Sequence, residues 1–331
     1  MTRHRPSPRI LLVISLALLL TGLPLLASTL GQPYYISLCS RILIYGLAAV
    51  SLDLVLGFGG MVSLAHAAFM GVGAYTVGIL AYHATYQIPI LSWPLSLAGT
   101  ESALAAWPLA MGAAGLAALL IGAVSLRTRG VYFIMITLAF SQMLFFFFVS
   151  LKGYGGDDGL SLFSRSAVPG LDLNSDTAFY YLCLLLLGVF TLFCRRLMRS
   201  RFGMIIRGCK ENEQRLEALG VPTYAYKLTC FAVAGAGAGL AGALYANQTG
   251  FISPGLMHWS VSGELVVMVV LGGMGTLFGP ILGAAALLLL EEILSMYTEH
   301  WMLFLGPILI LVVLYARSGI FGAVPGRGRG E

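Results

Sequence analysis

Two stretches of this chain are apolar, longer than one bilayer-spanning helix, and interrupted by glycine. The first runs from Arg41 to about Tyr82 around Gly57-Phe58-Gly59-Gly60. The second runs from Ser262 to Leu290 around Gly272, Gly273, Gly275, Gly279 and Pro280. A spanning helix needs about 20 mostly apolar residues. Backbone left unpaired by a break cannot face lipid and must be enclosed by protein or a wet cavity. Each stretch therefore predicts a pair of broken helices inside a larger membrane bundle. The breaks also resemble one another: Val55-Leu56-Gly57-Phe58-Gly59-Gly60-Met61-Val62-Ser63-Leu64 against Val270-Leu271-Gly272-Gly273-Met274-Gly275-Thr276-Leu277. Paired broken segments mark the substrate path in transporters built from repeats; similar Gly-rich packing arising independently is the other reading.

The remaining apolar runs complete the count. Expected spans lie at about 10–30, on either side of the break within 41–82, and at 104–125, 131–150, 178–194, 228–247, 263–278, 280–295 and 301–316, ten in all. With the N-terminus cytosolic, the inside segments are 1–9, 126–130, 195–227 and 317–331, holding three, two, eight and three of the 19 Lys and Arg residues. This follows the enrichment of basic residues on cytosolic loops. Fusing 263–295 into one span would move the basic tail outside. Arg3, Arg5 and Arg9, the apolar run Ile10–Leu20 and small residues at Ala27–Ser28 also fit a cleaved signal peptide. The apolar run continues to about Leu30, the length of a full span.

Of 331 residues, 58% are hydrophobic and 10% charged, against roughly 25% charged in soluble domains. No length remains for a soluble catalytic domain. The net charge of +5 follows from topology and does not imply nucleic acid. Cys39, Cys183, Cys194, Cys209 and Cys230 lack CxxC spacing, and the five histidines are dispersed, so neither a metal site nor a disulfide framework is expected. No HExxH, GxSxG or GxxxxGK[ST] occurs; the chain has no P-loop of its own. The expected fold is all-α, a polytopic transmembrane bundle forming a single domain over 1–331.

Polar residues within apolar surroundings are the next signal, because they are costly in a bilayer and usually face a bundle interior. Asp53, Gly59, Ser63 and His66 surround the first break; Thr137, Ser141 and Gln142 lie on the span at 131–150; Glu264, Glu291 and Glu292 border the later spans. Asp53, Gly59, Ser63, His66, Thr137 and Gln142 form a candidate substrate path. Asp53 offers an acceptor and a broken helix offers unpaired N–H donors to a polar solute. For each of these residues taken singly, a bracing or capping role is the reading the sequence favours. Gly235 and Gly239 form a GxxxG that favours close helix packing.

The polar island 195–227 is too charged to cross a membrane. Within it Glu211–Leu219 predicts a short helix ended by Gly220 and Pro222. Such a helix on the cytosolic face fits a partner's groove; a solvated loop that is basic for topology alone is the other reading. The outer segment 151–177 carries Asp157 and Asp158, a candidate dock where charge would steer and orient a partner; an ordinary solvated loop is the other reading.

Several stretches, in order, resemble membrane subunits of ABC importers of the branched-chain amino acid (Liv) type: LDLVLGFGGMVSLAHAAFMGVGAY at 52–75, LRTRGVYFIMITLAF at 126–140, GGDDGL at 155–160, SRFGMIIRGCKENEQRLEALGVPTYAYKLTCFAVAGAGAGLAGALYA at 200–246 and SGELVVMVVLGGMGTLFGPILGA at 262–284. The second is similar to the LivM-type rather than the LivH-type subunit. Ala65 departs from the pattern, where the family usually has Gly before His66. The resemblance covers about 41–322. It implies a multi-pass inner-membrane permease subunit, not an enzyme, with both termini cytosolic. It implies four partners besides lipid: a second, LivH-type permease, two ATP-binding subunits and an extracytoplasmic substrate-binding protein. ATP would bind only to the partners, with no cofactor in this chain. Glu213, Glu217, Ala218, Leu219 and Gly220 would couple to an ATPase, and branched-chain or other hydrophobic amino acids would be moved by alternating access. Urea- and amide-type permeases share the pattern. The rival class is a self-sufficient ion-coupled transporter using Asp53, Glu291 and Glu292 as a proton relay.

Overall fold

The computed structural model describes residues 34–89, 99–298 and 319–323, with isolated positions at 20–24 and 300–310. The expected spans at 10–30 and 301–316 lie largely outside the described residues. The others fold as α1 (Tyr34–Asp53, continued by a π-helical turn Leu54–Phe58), α2 (His66–Thr85), α3 (Ala103–Ser125), α4 (Val131–Ser150), α5 (Asp176–Arg199), the island helix α6 (Arg201–Ala218), α7 (Thr223–Thr249), α8 (Trp259–Gly272), α9 (Gly279–Tyr297) and a short α10 (Gly319–Ala323). Seven of these are long and apolar enough to cross a membrane, α1 being counted with its π-helical turn. At 14 residues α8 reaches about 21 Å, short of a hydrocarbon core of about 30 Å. Ten spans is therefore more than the described residues display.

The ends of the bundle are defined by contacts between distant segments. Arg129, between α3 and α4, pairs with Glu213 and Glu217 of the island. The segments 126–130 and 195–227 therefore share one face, called here the basic face. At the other end, Tyr34 meets Glu292 and Arg41 pairs with Glu291, so α1 and α9 run antiparallel. A Cβ on Gly319 would strike the backbone of Gly272 and Gly273, and Phe321 stacks near Phe278. The α10 segment thus seats on the α8–α9 turn, at the opposite end of α9 from Thr298.

Small residues set the centre. Gly235 of α7 packs against Ala118 of α3, and Gly239 against Ala114 and Ala110; from the other side, Gly242 meets the Met70 carbonyl and Gly73 meets Gly239. The GxxxG at 235–239 is thereby used within this chain, bringing α2, α3 and α7 to near-backbone contact. Unlike these, α4 is mostly peripheral. Phe133, Thr137, Ser141 and Phe148 face inward, while Val131, Tyr132, Met135, Met143, Phe146 and Phe147 are exposed. An apolar exposed face suits lipid.

Opposite the basic face, 151–175 is ordered. Strands β1 (Leu160–Ser161) and β2 (Phe251–Ile252) pair antiparallel, Tyr154 Oη lies 2.8 Å from His83 Nε2, and Arg165 bonds Asp176 at 2.6 Å while stacking over Phe179. Phe251–His258 then dips between helices. Ser141 Oγ donates to the Met257 carbonyl (3.3 Å), and the Ala67 amide donates to Ser262 Oγ (3.0 Å). Beginning α8 at this depth explains its shortness.

Candidate functional site

The first break starts at Asp53, 1% exposed, where α1 loosens into the π-helical turn and the chain leaves helix at Gly59. Widened turns of this kind recur at functional sites. Asp53 Oδ1 accepts from the Gly275 amide at 2.8 Å, while Oδ2 is buried without a hydrogen-bond partner among the described residues. The reason for glycine at 57 is closeness. A Cβ there would collide with Asp53 Oδ1 and the Gly275 nitrogen. The two Gly-rich breaks that resemble each other in sequence thus touch directly.

From Gly59 the chain runs non-helically to Ala65. Ser63 Oγ accepts from the Ala65 amide (3.2 Å), and Thr137 Oγ1 accepts from the Leu64 amide (3.3 Å). His66 opens α2 fully buried against Phe69 and Phe231, with neither ring nitrogen partnered among the described residues. Ser63, His66 and Thr137 are thereby gathered around one break. Gln142 stands apart from them, half-buried, its amide nitrogen enclosed without a partner among the described residues.

The island carries the second set. Expected as a helix over 211–219, it is longer and kinked, because Asn212 leaves helical geometry (φ −158°, ψ 96°). Its carbonyl Oδ1 accepts from the Arg215 amide at 3.0 Å, capping a second short helix over 213–218. That helix ends at Gly220, whose φ of +79° favours glycine. The Gly220 amide donates to Glu217 O and the Val221 amide to Leu216 O, the paired bonds that terminate helices at a left-handed residue. Glu213 is anchored by Lys227 and Arg129, and both Glu213 and Glu217 accept from Thr223 Oγ1. Leu219 is left 72% exposed at the tip.

A cavity of about 370 Å³ on the basic face joins the two sets. Gly59, Gly60 and Met61 of the break, Arg129, Phe133 and Ile134 beside α4, and Lys210, Glu213 and Lys227 line it. Across its wall, Lys210 Nζ donates to the Gly57 carbonyl at 2.7 Å. The lysine thus satisfies a backbone acceptor freed by the break. Cys209 shares the wall, where burial pushes its thiol pKa up and keeps it unreactive. Sequence reasoning missed Lys210, Arg129 and Gly275 as members of the site. Gly275 lay within a recognised Gly-rich match, but nothing local to Lys210 indicates that it reaches residue 57. Asp157 and Asp158 lie exposed on a 3-10 turn at the other end, away from this cluster.

Membrane-length helices, two touching Gly-rich breaks and a polar helix bound to one of them define a multi-pass membrane protein. The chain belongs to the family described as "Branched-chain amino acid transport system / permease component", whose model matches residues 34–313. It is 29% identical over 325 residues to the high-affinity branched-chain amino acid transport system permease protein LivM of Salmonella typhimurium and 30% to that of Escherichia coli. In each case the match covers 89% of this chain and 73% of the relative. The corresponding LivH protein of Salmonella typhimurium is 27% identical over 289 residues, covering 84% of this chain and 91% of the relative. No solved structure matches the chain.

Proposed function

We propose that this chain is a LivM-type permease subunit, one of two membrane subunits of an ABC importer for branched-chain or other hydrophobic amino acids. It works by alternating access and is driven by two ATP-binding partners. The observation that carries the reading is the Lys210–Gly57 bond. The polar helix that would receive an ATPase's movement is fixed, two residues before its kink, to the carbonyl of a broken helix. Glu213, Glu217, Ala218, Leu219 and Gly220 form the coupling surface. Leu219 is the exposed apolar contact, and Glu213 is the root that ties it to Arg129 and Lys227. The basic face is cytosolic, as are both termini, and the membrane is the inner membrane. The substrate-binding protein docks on the opposite, ordered face near Asp157 and Asp158. ATP is held only by the partner subunits.

Within this reading Asp53, Gly59, Ser63, His66, Thr137 and Gln142 border the route. Asp53 holds the two breaks together, so a shift at Lys210 reaches both. A proton relay through Asp53, Glu291 and Glu292 is disfavoured by their placement. Asp53 is at the basic end of α1, whereas Glu291 and Glu292 sit near Arg41 and Tyr34 towards the other end. Uptake into vesicles tests the function. Leucine accumulation should require ATP, the ATP-binding subunits and the binding protein. Accumulation by this chain alone on an ion gradient would overturn the reading.

A further inference from the structure

Three charged side chains lie at membrane depth, far from the basic face. Arg41 is about 10 Å along α1 from Tyr34. It pairs loosely with Glu291 of α9 at 3.6 Å, and its guanidinium covers the Tyr45 ring at 5.7 Å. Glu264 lies exposed on α8, an otherwise apolar helix, within electrostatic reach of both Arg41 and Glu291. It has no hydrogen bond or ion pair among the described residues. The trio is one negative charge in excess. A carboxylate in this state is strongly disfavoured against hydrocarbon, so this face meets water, a ligand or protein.

Beside the trio is a cavity of about 290 Å³, whose lining includes Tyr45, Tyr245, Phe251, Leu256 and Val261 together with the hydroxyl-bearing Thr249 and Ser253. Tyr45 and Tyr245 meet edge to face at 6.1 Å. Val261 and Glu264 are three residues apart on α8, hence on one side of it. The cavity opens towards the end of the bundle where β2 and 151–175 lie. The far end of α8, through Gly272–Gly275, reaches Asp53. One short helix therefore connects this cavity with the inner break.

We propose that this cavity and the charged trio beside it, which meets it at Tyr45, form an outer recognition site for the substrate as an α-amino acid. Glu264 takes the ammonium, Arg41 the carboxylate, and the aromatic cavity the branched apolar side chain. The proposal rests on the amino acid importer reading given above. The excess negative charge argues against an anionic ligand, and the apolar aromatic wall against an inorganic cation.

The test uses the assembled complex in right-side-out vesicles, with Cys39→Ser and Thr249→Cys in this chain. Of the five native cysteines, Cys39 is half-buried and the other four are buried. A membrane-impermeant cationic methanethiosulfonate should label position 249 from outside. Millimolar leucine should slow labelling at least threefold, and adding Glu264→Gln should abolish that protection while the second permease still co-purifies. Absence of labelling, absence of protection, or protection that survives Glu264→Gln would each overturn the site. Loss of the second permease from the Glu264→Gln complex would also overturn it, making Glu264 an intersubunit contact. ATP-driven leucine uptake by Thr249→Cys vesicles without protection would sink this site alone. Lack of any uptake by the unsubstituted complex would sink the importer reading itself.

Discussion

Asp53 and Gly275, 222 residues apart, are joined by a single hydrogen bond of 2.8 Å from the Gly275 amide to Asp53 Oδ1. The bond joins the two broken segments where α1 passes into its π-helical turn and α8 has ended. The carboxylate belongs to the first segment and the amide to the second. On the other side of the same break, Lys210 holds the Gly57 carbonyl. The island, the first break and the second break thereby form one chain of contacts about four residues deep.

Lys210→Met should separate energy supply from transport. Charged hydrogen bonds are worth about 1.5–3 kcal/mol when made, so loss of this one should lower ATP-driven uptake by about tenfold or more. ATP hydrolysis by the complex should stay within about twofold. Parallel uptake and hydrolysis assays on reconstituted complex check this; an equal fall in both would refute the link.

Gly57→Ala should destabilise the chain, because the added methyl meets Asp53 and the Gly275 backbone rather than a yielding side-chain tip. Overpacking of this kind costs about 1–3 kcal/mol. Gly188→Ala, on α5 with nothing within 4 Å, should be neutral or slightly stabilising. Thermal unfolding in detergent, monitored by exposure of the buried cysteines, compares the two variants.

Asp53→Asn keeps an acceptor for Gly275 and should assemble normally while slowing uptake severalfold. Asp53→Ala removes the acceptor, leaves a buried amide unpaired and should cut the yield of assembled complex. Uptake kinetics of Asp53→Asn equal to those of the unsubstituted chain would remove its charge from the mechanism.

Cysteines at Glu217, Ala218 and Leu219 should cross-link to an ATP-binding subunit, with Leu219→Cys more efficient than Glu217→Cys because Leu219 is 72% exposed while Glu217 is held by Arg129 and Thr223. Cysteine at Gly208, beneath Leu216, should not react. Silence across 213–220 would exclude this helix as the coupling surface.

How much of this was legible in the sequence varies by element. The span boundaries at 104–125 and 131–150 match α3 and α4 nearly residue for residue, because a long apolar run flanked by Arg127 and Arg129 admits one solution in a bilayer. The break at Gly57–Gly60 was legible for the same reason: a run too long for one span has to bend where glycine permits it. The island's helix was placed by its Gly220 terminator, but its beginning was not. Asn212 interrupts a longer helix, and an asparagine cap inside a polar run looks like any other polar residue. The half-length of α8 was equally hidden, since apolar composition does not reveal that Met257 and Ser262 are already held deep in the bundle by Ser141 and Ala67.

By itself, then, the sequence determined what is governed by local chemistry: which segments enter the bilayer, where helices must break, and which polar stretch stays out. Those follow from the cost of exposing backbone or charge to hydrocarbon, which each segment meets on its own. Only the tertiary structure decided that Gly57 lies against Gly275, that Asp53 bridges the breaks, that Lys210 reaches from the island to one of them, and that Glu264 comes within electrostatic reach of Arg41 and Glu291. These are meetings of groups up to 250 residues apart, fixed by how small residues on α2, α3 and α7 let whole helices approach. No local pattern encodes a partner that packing alone brings within hydrogen-bond distance.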